Sequence, residues 1–195
     1  NPSQAEPIIA TTISSQKQLF ESGRELEIDQ YFRSAVEERA ELRKKVASKV
    51  KSFKAVFAVL DWSLRGDVPD AYAAAVDLLA ECNAILISAL QYFYLEYPKT
   101  PKGISQIDRD TKLDVLINGL ARAQKLSAEA RLKAVIQMAG AKRRVVKAAV
   151  IDAATLLVNR RNKKSVMTLL TWFASNKETD AYIRQYSQDA LEDLV

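Results

Sequence analysis

Residues 46–64, VASKVKSFKAVFAVLDWSL, carry apolar side chains at Val46, Val50, Phe53, Phe57, Leu60 and Leu64. The intervals run 4, 3, 4, 3, 4. That alternation keeps one face of an α-helix apolar and suits helix-on-helix packing. A strand needs a period of two, and no sustained period-two run bounded by turn dipeptides occurs in the chain. The seam predicts one long N-terminal helix from about Arg24 to Arg65. It ends at Gly66-Asp67-Val68-Pro69-Asp70, where Asp67 or Asp70 can cap the next helix.

Further segments repeat the helical pattern. Asp70–Tyr97 is apolar over much of its circumference, as suits a helix in the middle of a bundle. Pro98, Pro101 and Gly103 mark an internal loop, Pro98–Asp108. A fourth helix is expected over Asp110–Leu126, with Asp110 as its cap. Ser127 opens a fifth segment, which Gly140 either kinks or splits. Val166–Ala174 reads as a short helix. Lys177–Leu194 reads as the last, capped by Ser175 or Asn176. Gly and Pro number five each, few enough to favour helix.

The expected fold is all-α: a single-domain bundle of five to seven helices, with the long helix and Asp70–Tyr97 as its spine. Residues 1–15 carry Pro2, Pro7 and small polar residues without helical period, and predict a flexible N-terminal arm. Residues 16–195 form the bundle domain, with a short helix over Gln16–Ser22. At 195 residues the chain can bury a core without metal or disulfide.

Composition excludes several chemistries. Histidine is absent, which removes Ser-His-Asp and Cys-His catalysis and His-ligated zinc. The single cysteine, Cys82, sits among Leu78, Leu79, Ile85 and Leu86 and reads as a buried, inert thiol. No phosphate-cradling glycine loop is present. Asp108/Asp110/Asp114 and Glu178/Asp180 are close carboxylates, but acid–base work needs a desolvated pocket. The expectation is a non-enzyme without cofactor or metal. Asn1–Thr12 lacks the basic and apolar regions of a signal peptide, and no run of 18 uncharged apolar residues occurs. An intracellular or virion-associated protein is expected.

Charge is the functional clue. The net charge is +5. Arg131–Lys164 carries ten Lys or Arg and one acid, Asp152. Eight of these cations form two knots. Lys142, Arg143 and Arg144 lie within one helical turn, with Lys147 on their face. Arg160, Arg161, Lys163 and Lys164 follow, roughly 24 Å along a continuous helix at 1.5 Å per residue. Two readings compete for the second knot. It can contact phosphates, or it can sit at a helix C-terminus and relieve the negative end of the macrodipole.

A second set, Arg39–Lys54, holds seven cations and one acid. Arg43, Lys44, Lys51 and Lys54 can share a stripe beside the seam. A continuous positive groove results if this stripe lies beside the fifth segment. Tyr92, Phe93, Tyr94 and Tyr97 read as packing more readily than as base-stacking groups, and Trp62 and Trp172 as core anchors. Acids gather in Glu21–Glu41 and Glu178–Asp193. Such opposed patches suit head-to-tail assembly, or neutralise the basic patch within one molecule.

The function expected is that of a structural protein binding nucleic-acid backbone independently of sequence and self-assembling as a homo-oligomer, as a nucleocapsid or packaging protein does. Lys142, Arg143, Arg144, Lys147, Arg160, Arg161, Lys163 and Lys164 would contact phosphates, with Arg43, Lys44 and Lys51 contributing. Two alternatives stand beside it. One is an oligomerisation or interaction module docking on an acidic protein surface without nucleic acid. The other is a membrane-active bundle, against which the spacing of charges argues.

Overall fold

The computed structural model describes residues 24–96 and 105–194. The expected arm 1–15, the helix Gln16–Ser22, Tyr97 and most of the loop Pro98–Asp108 lie outside the described residues. Within them the fold is all-helical. Ten helices follow in order: α1 Arg24–Arg33, α2 Val36–Ala47, α3 Phe53–Trp62, α4 Ala71–Ala80, α5 Ile85–Glu96, α6 Gln106–Arg122, α7 Ala128–Ile136, α8 Arg144–Leu156, α9 Lys163–Ser175 and α10 Ala181–Glu192. None is long and apolar enough to cross a membrane.

The helices exceed the expected five to seven because three long segments are broken. The long N-terminal helix is three helices. At the first break the Ser34 hydroxyl donates to the Gln30 carbonyl. Arg39 then turns inward: its guanidinium donates to the carbonyls of Ser34 (3.0 Å), Pro69 (2.8 Å) and Phe32 (2.8 Å). The bonds to Phe32 and Ser34 take up orphan carbonyls at the end of α1, which is why the chain can stop there, and the bond to Pro69 ties that end to the turn before α4. Only 6% of Arg39 is exposed, so this cation is a clasp and not part of the surface. At the second break Ser52 accepts from the Ala55 amide and caps α3. Even so, Val46, Val50 and Leu60 are buried, and Phe53 and Phe57 pack against the core.

Asp70–Tyr97 is likewise divided. Asn83 accepts from the Ile85 amide and starts α5. Asp70 stands at the head of α4 as expected, but in the left-handed region (φ 54°) and without a side-chain cap. Around Gly140 the chain splits, with turn bonds from Met138, Ala139 and Ala141 to carbonyls three residues back. Ser127 caps α7 as expected, accepting from the Ala130 amide. Two expected caps are displaced. Ser105, not Asp110, caps α6, and Asp180, not Ser175 or Asn176, caps α10.

The centre of the bundle is α6, not the N-terminal segment. It packs against α3, α4, α5, α7 and α8, and buries Leu113, Val115, Leu116, Ile117 and Leu120. Gly119 permits the closest approach: a Cβ there would lie 2.6 Å from Leu79 Cβ on α4. Toward the C-terminus α9 packs on α10, and both touch α8. Cys82 is buried as expected, and burial pushes its thiol up to about 12. Trp62 is also in the core, stacked on Phe32 at 5.3 Å.

Candidate functional site

Both basic knots sit at helix N-termini. Lys142 and Arg143 precede α8, and Arg144 is its first residue. Arg160 and Arg161 lie in the turn after α8, and Lys163 and Lys164 open α9. The second knot therefore lies between the C-terminus of α8 and the N-terminus of α9, and for Lys163 and Lys164, which stand on α9, the charge-matching reading is reversed. Cations at a helix N-terminus oppose the macrodipole instead of relieving it. Neither helix has an acid in its first turn. The 13 residues of α8 separate the knots by roughly 20 Å at 1.5 Å per residue.

The two knots differ in how their charges are used. Arg143 Nε donates to Asp110 Oδ2 at 2.9 Å, and Asp110 also accepts from Gln106 at 2.8 Å. The Asp110 side chain is 8% exposed, so Arg143 compensates a buried carboxylate and ties α8 to α6. The Arg144 guanidinium lies over the Tyr182 ring, 5.3 Å from its centroid. Arg160, Arg161, Lys163 and Lys164 are exposed and have no ion-pair partner among the described residues. Lys142 is exposed and Lys147 half-buried, and they too lack such a partner.

Two asparagines hold the second knot in shape. Asn162 is buried; its Nδ2 donates to the Leu157 carbonyl (2.9 Å) and its Oδ1 accepts from the Asn159 amide (2.7 Å). Asn159 Oδ1 in turn accepts from the amides of Arg161 (2.9 Å) and Asn162 (3.2 Å). The turn is closed by these bonds, and the arginine side chains are left outside it. Sequence reading passed over this device. Its signal was the Asn-Arg-Arg-Asn order, since asparagine side chains replace backbone partners in turns.

Beside this turn runs an open groove of about 750 Å³, lined by Arg160, Lys163, Lys164, Met167, Thr168, Thr171, Trp172 and Ser175. No acid lines it. Trp172, expected in the core, is 44% exposed at its far end. At the tyrosine-rich end of α5, Phe93 is buried and Tyr94 packs against the core, as expected, whereas Tyr92 stacks on Phe53 at 5.2 Å but is 42% exposed.

The N-terminal basic set does not extend the patch as a stripe. Lys51 falls in the turn between α2 and α3, and Lys44 is exposed on α2. Arg43 faces a cleft of about 610 Å³ whose lining includes Arg122, Lys125, Arg131 and Asn159. The cleft thus adjoins the second knot at Asn159. Its positive charge is interrupted: Arg43 lies 3.3 Å from Asp77 and 3.8 Å from Glu81.

A third cleft, about 390 Å³, places Asp114 and Asp152 near Arg144 and Tyr182. Asp114 accepts from Tyr72 (2.7 Å) and Asn118 (3.0 Å), and Asp152 from Tyr186. Burial is the main cause holding the Asp114 carboxyl above its usual range; the Tyr72 bond opposes it and the Asp152 charge adds to it. Among the described residues no three or more Cys, Asp or Glu side chains gather as a metal-binding group. The exposed acids Asp189, Glu192 and Asp193 make no ion pair with either knot among the described residues. Comparison with protein families and with curated proteins yields no match to this chain.

Proposed function

We propose that the protein is a structural, non-enzymatic binder of nucleic-acid backbone that acts as a self-assembling packaging protein, with the α8–α9 junction as its principal contact. One observation carries the reading. Four exposed cations stand without an ion-pair partner among the described residues at the α8–α9 junction, and the two that stand on a helix, Lys163 and Lys164, oppose its dipole. A polyanion supplies the missing partner: its phosphates meet Arg160, Arg161, Lys163 and Lys164, and counterion release favours the complex. The asparagine-locked turn favours the same reading, since a preorganised site loses less entropy on binding. Lys142 and Lys147 extend the contact along α8, while Arg143 and Arg144 are held by Asp110 and Tyr182. Lys44 and Lys51 are peripheral, and Arg43 is largely neutralised by its acids. Contacts limited to phosphate carry no sequence preference. Head-to-tail assembly would join the exposed acids of α10 and α2 to basic surfaces of a neighbouring copy.

The test is gel-shift of random-sequence RNA and DNA through a salt series, with light-scattering mass in the presence and absence of the oligonucleotide. Binding of both polymers that weakens steeply with salt, with mass growing beyond one chain, is expected. Affinity indifferent to salt, or no retention of either polymer, overturns the reading in favour of an acidic protein partner.

A further inference from the structure

The groove along α9 changes chemistry from one end to the other. At the N-terminal end stand Arg160, Lys163 and Lys164. At the far end stands Trp172. Residues 164, 168 and 172 are spaced by four and share a helix face, so Lys164 and Trp172 lie roughly 12 Å apart along the axis. That span matches about three or four nucleotides of a stacked strand at roughly 3.4 Å each.

We infer that this face is a subsite for an unpaired stretch of single-stranded nucleic acid, with backbone phosphates at Arg160, Lys163 and Lys164 and a base stacked on the Trp172 indole. The inference deepens the proposed function and rests on it. Three observations point to bases rather than phosphate alone. Trp172 exposes its ring in the same groove that the cations open, although the other face of α9 buries Val166, Leu169, Leu170 and Phe173. The indole is not adrift: it packs against buried Phe173, centroids 4.9 Å apart at 61°, and so is held in position to receive a second ring. Finally, two hydroxyls lining the groove, Thr168 between its ends and Ser175 beyond Trp172, are turned for accepting. Thr168 donates its proton to the Lys164 carbonyl (2.9 Å) and Ser175 to the Thr171 carbonyl (2.8 Å). Oxygens whose protons are spent in this way suit the N–H groups of base edges and not phosphate oxygens. A duplex hides its base faces and gains nothing from Trp172, whereas an unpaired strand gains a stacking platform. Lipid is a poorer occupant, because the apolar side of α9 is committed to the core.

Tryptophan fluorescence tests the inference. The full chain is titrated with a random single-stranded oligonucleotide, a blunt duplex of equal length, inorganic polyphosphate and anionic phospholipid vesicles. Wild type, Trp172→Phe and Trp172→Ala are compared, with buried Trp62 as the unquenched internal reference. The expected result is quenching by the single strand only. Trp172→Phe should abolish the quenching and keep affinity within about three-fold, because a phenyl ring still stacks. Trp172→Ala should weaken single-strand binding roughly ten-fold and leave duplex binding unchanged. Single-strand affinity unchanged in Trp172→Ala, or equal quenching by polyphosphate, overturns the subsite while leaving backbone binding intact. A blue shift with vesicles and no response to oligonucleotides overturns it in favour of a membrane surface. Loss of oligonucleotide binding in wild type overturns the proposed function as well, so the two failures are distinguishable. Trp172→Phe keeps the test decisive if the alanine variant folds poorly.

Discussion

Replacing Arg160, Arg161, Lys163 and Lys164 together by alanine separates a binding role from a folding role. Of the eight cations in the two knots, Arg143 is committed to Asp110 and Arg144 to Tyr182. Six remain without a partner among the described residues. On a single strand each neutralised phosphate contributes roughly −0.7 to the slope of log affinity against log salt. Six contacts therefore give a slope of about −4, and the two left in the variant about −1.4. Between about 50 and about 200 mM salt the wild type should lose roughly 300-fold in affinity and the variant roughly 7-fold. Folding should not suffer, because Lys163 and Lys164 oppose the dipole of α9, and Arg160 and Arg161 have no ion-pair partner among the described residues. Arg143→Ala is the mirror case. It strands the buried Asp110 carboxylate, and with Arg143 about half exposed the cost should be about 1–3 kcal/mol. In a chain of this size that lowers Tm by several degrees, roughly 2–4 °C per kcal/mol, while the salt slope changes by less than about 0.7. Fluorescence anisotropy of a labelled oligonucleotide across the salt series gives the slopes, and circular dichroism gives Tm. An unchanged slope in the four-fold variant refutes the reasoning. So does a large drop in its Tm, which would make the knot structural.

Three further outcomes follow from the packing. Arg39→Met should cost about 3 kcal/mol, because it leaves the carbonyls of Phe32, Ser34 and Pro69 without their charged donor; urea denaturation reads it, and a loss under 0.5 kcal/mol would show that the clasp is dispensable. Gly119→Ala should destabilise by about 1–3 kcal/mol, since the added Cβ meets Leu79 Cβ at 2.6 Å; Leu79→Ala should not rescue it, because that Cβ remains. Asp114→Asn should be more stable than the wild type near neutral pH. The folded-state pKa of Asp114 is raised, chiefly by burial, so the folded form holds its proton more tightly than the unfolded form. Its contribution therefore falls as pH climbs above the unfolded value of 3.8, and the advantage of the asparagine variant should grow over that window. Denaturation at pH 4 and pH 7 checks the sign, and a constant difference would contradict it.

Much of the fold was legible in the chain before any coordinates. Helical period, scarce breakers and the absence of strand alternation determined an all-α bundle, because burying a 3.6-residue stripe needs only local order. The seam from Val46 to Leu60, the Ser127 cap and the inert Cys82 belong to that class. Tertiary structure decided where helices stop. The seam keeps its phase through the turn at Ser48–Ser52, so periodicity could not reveal the break there. The clasp that ends α1 needs Pro69, thirty residues from Arg39 in sequence. The same limit governs the site. Sequence showed two clusters of cations but not the end of the helix each would occupy, nor that Arg143 was claimed by Asp110 across 33 residues. Charge is a property of composition; whether a charge is paired, or opposes its own helix, depends on which distant groups the fold brings beside it.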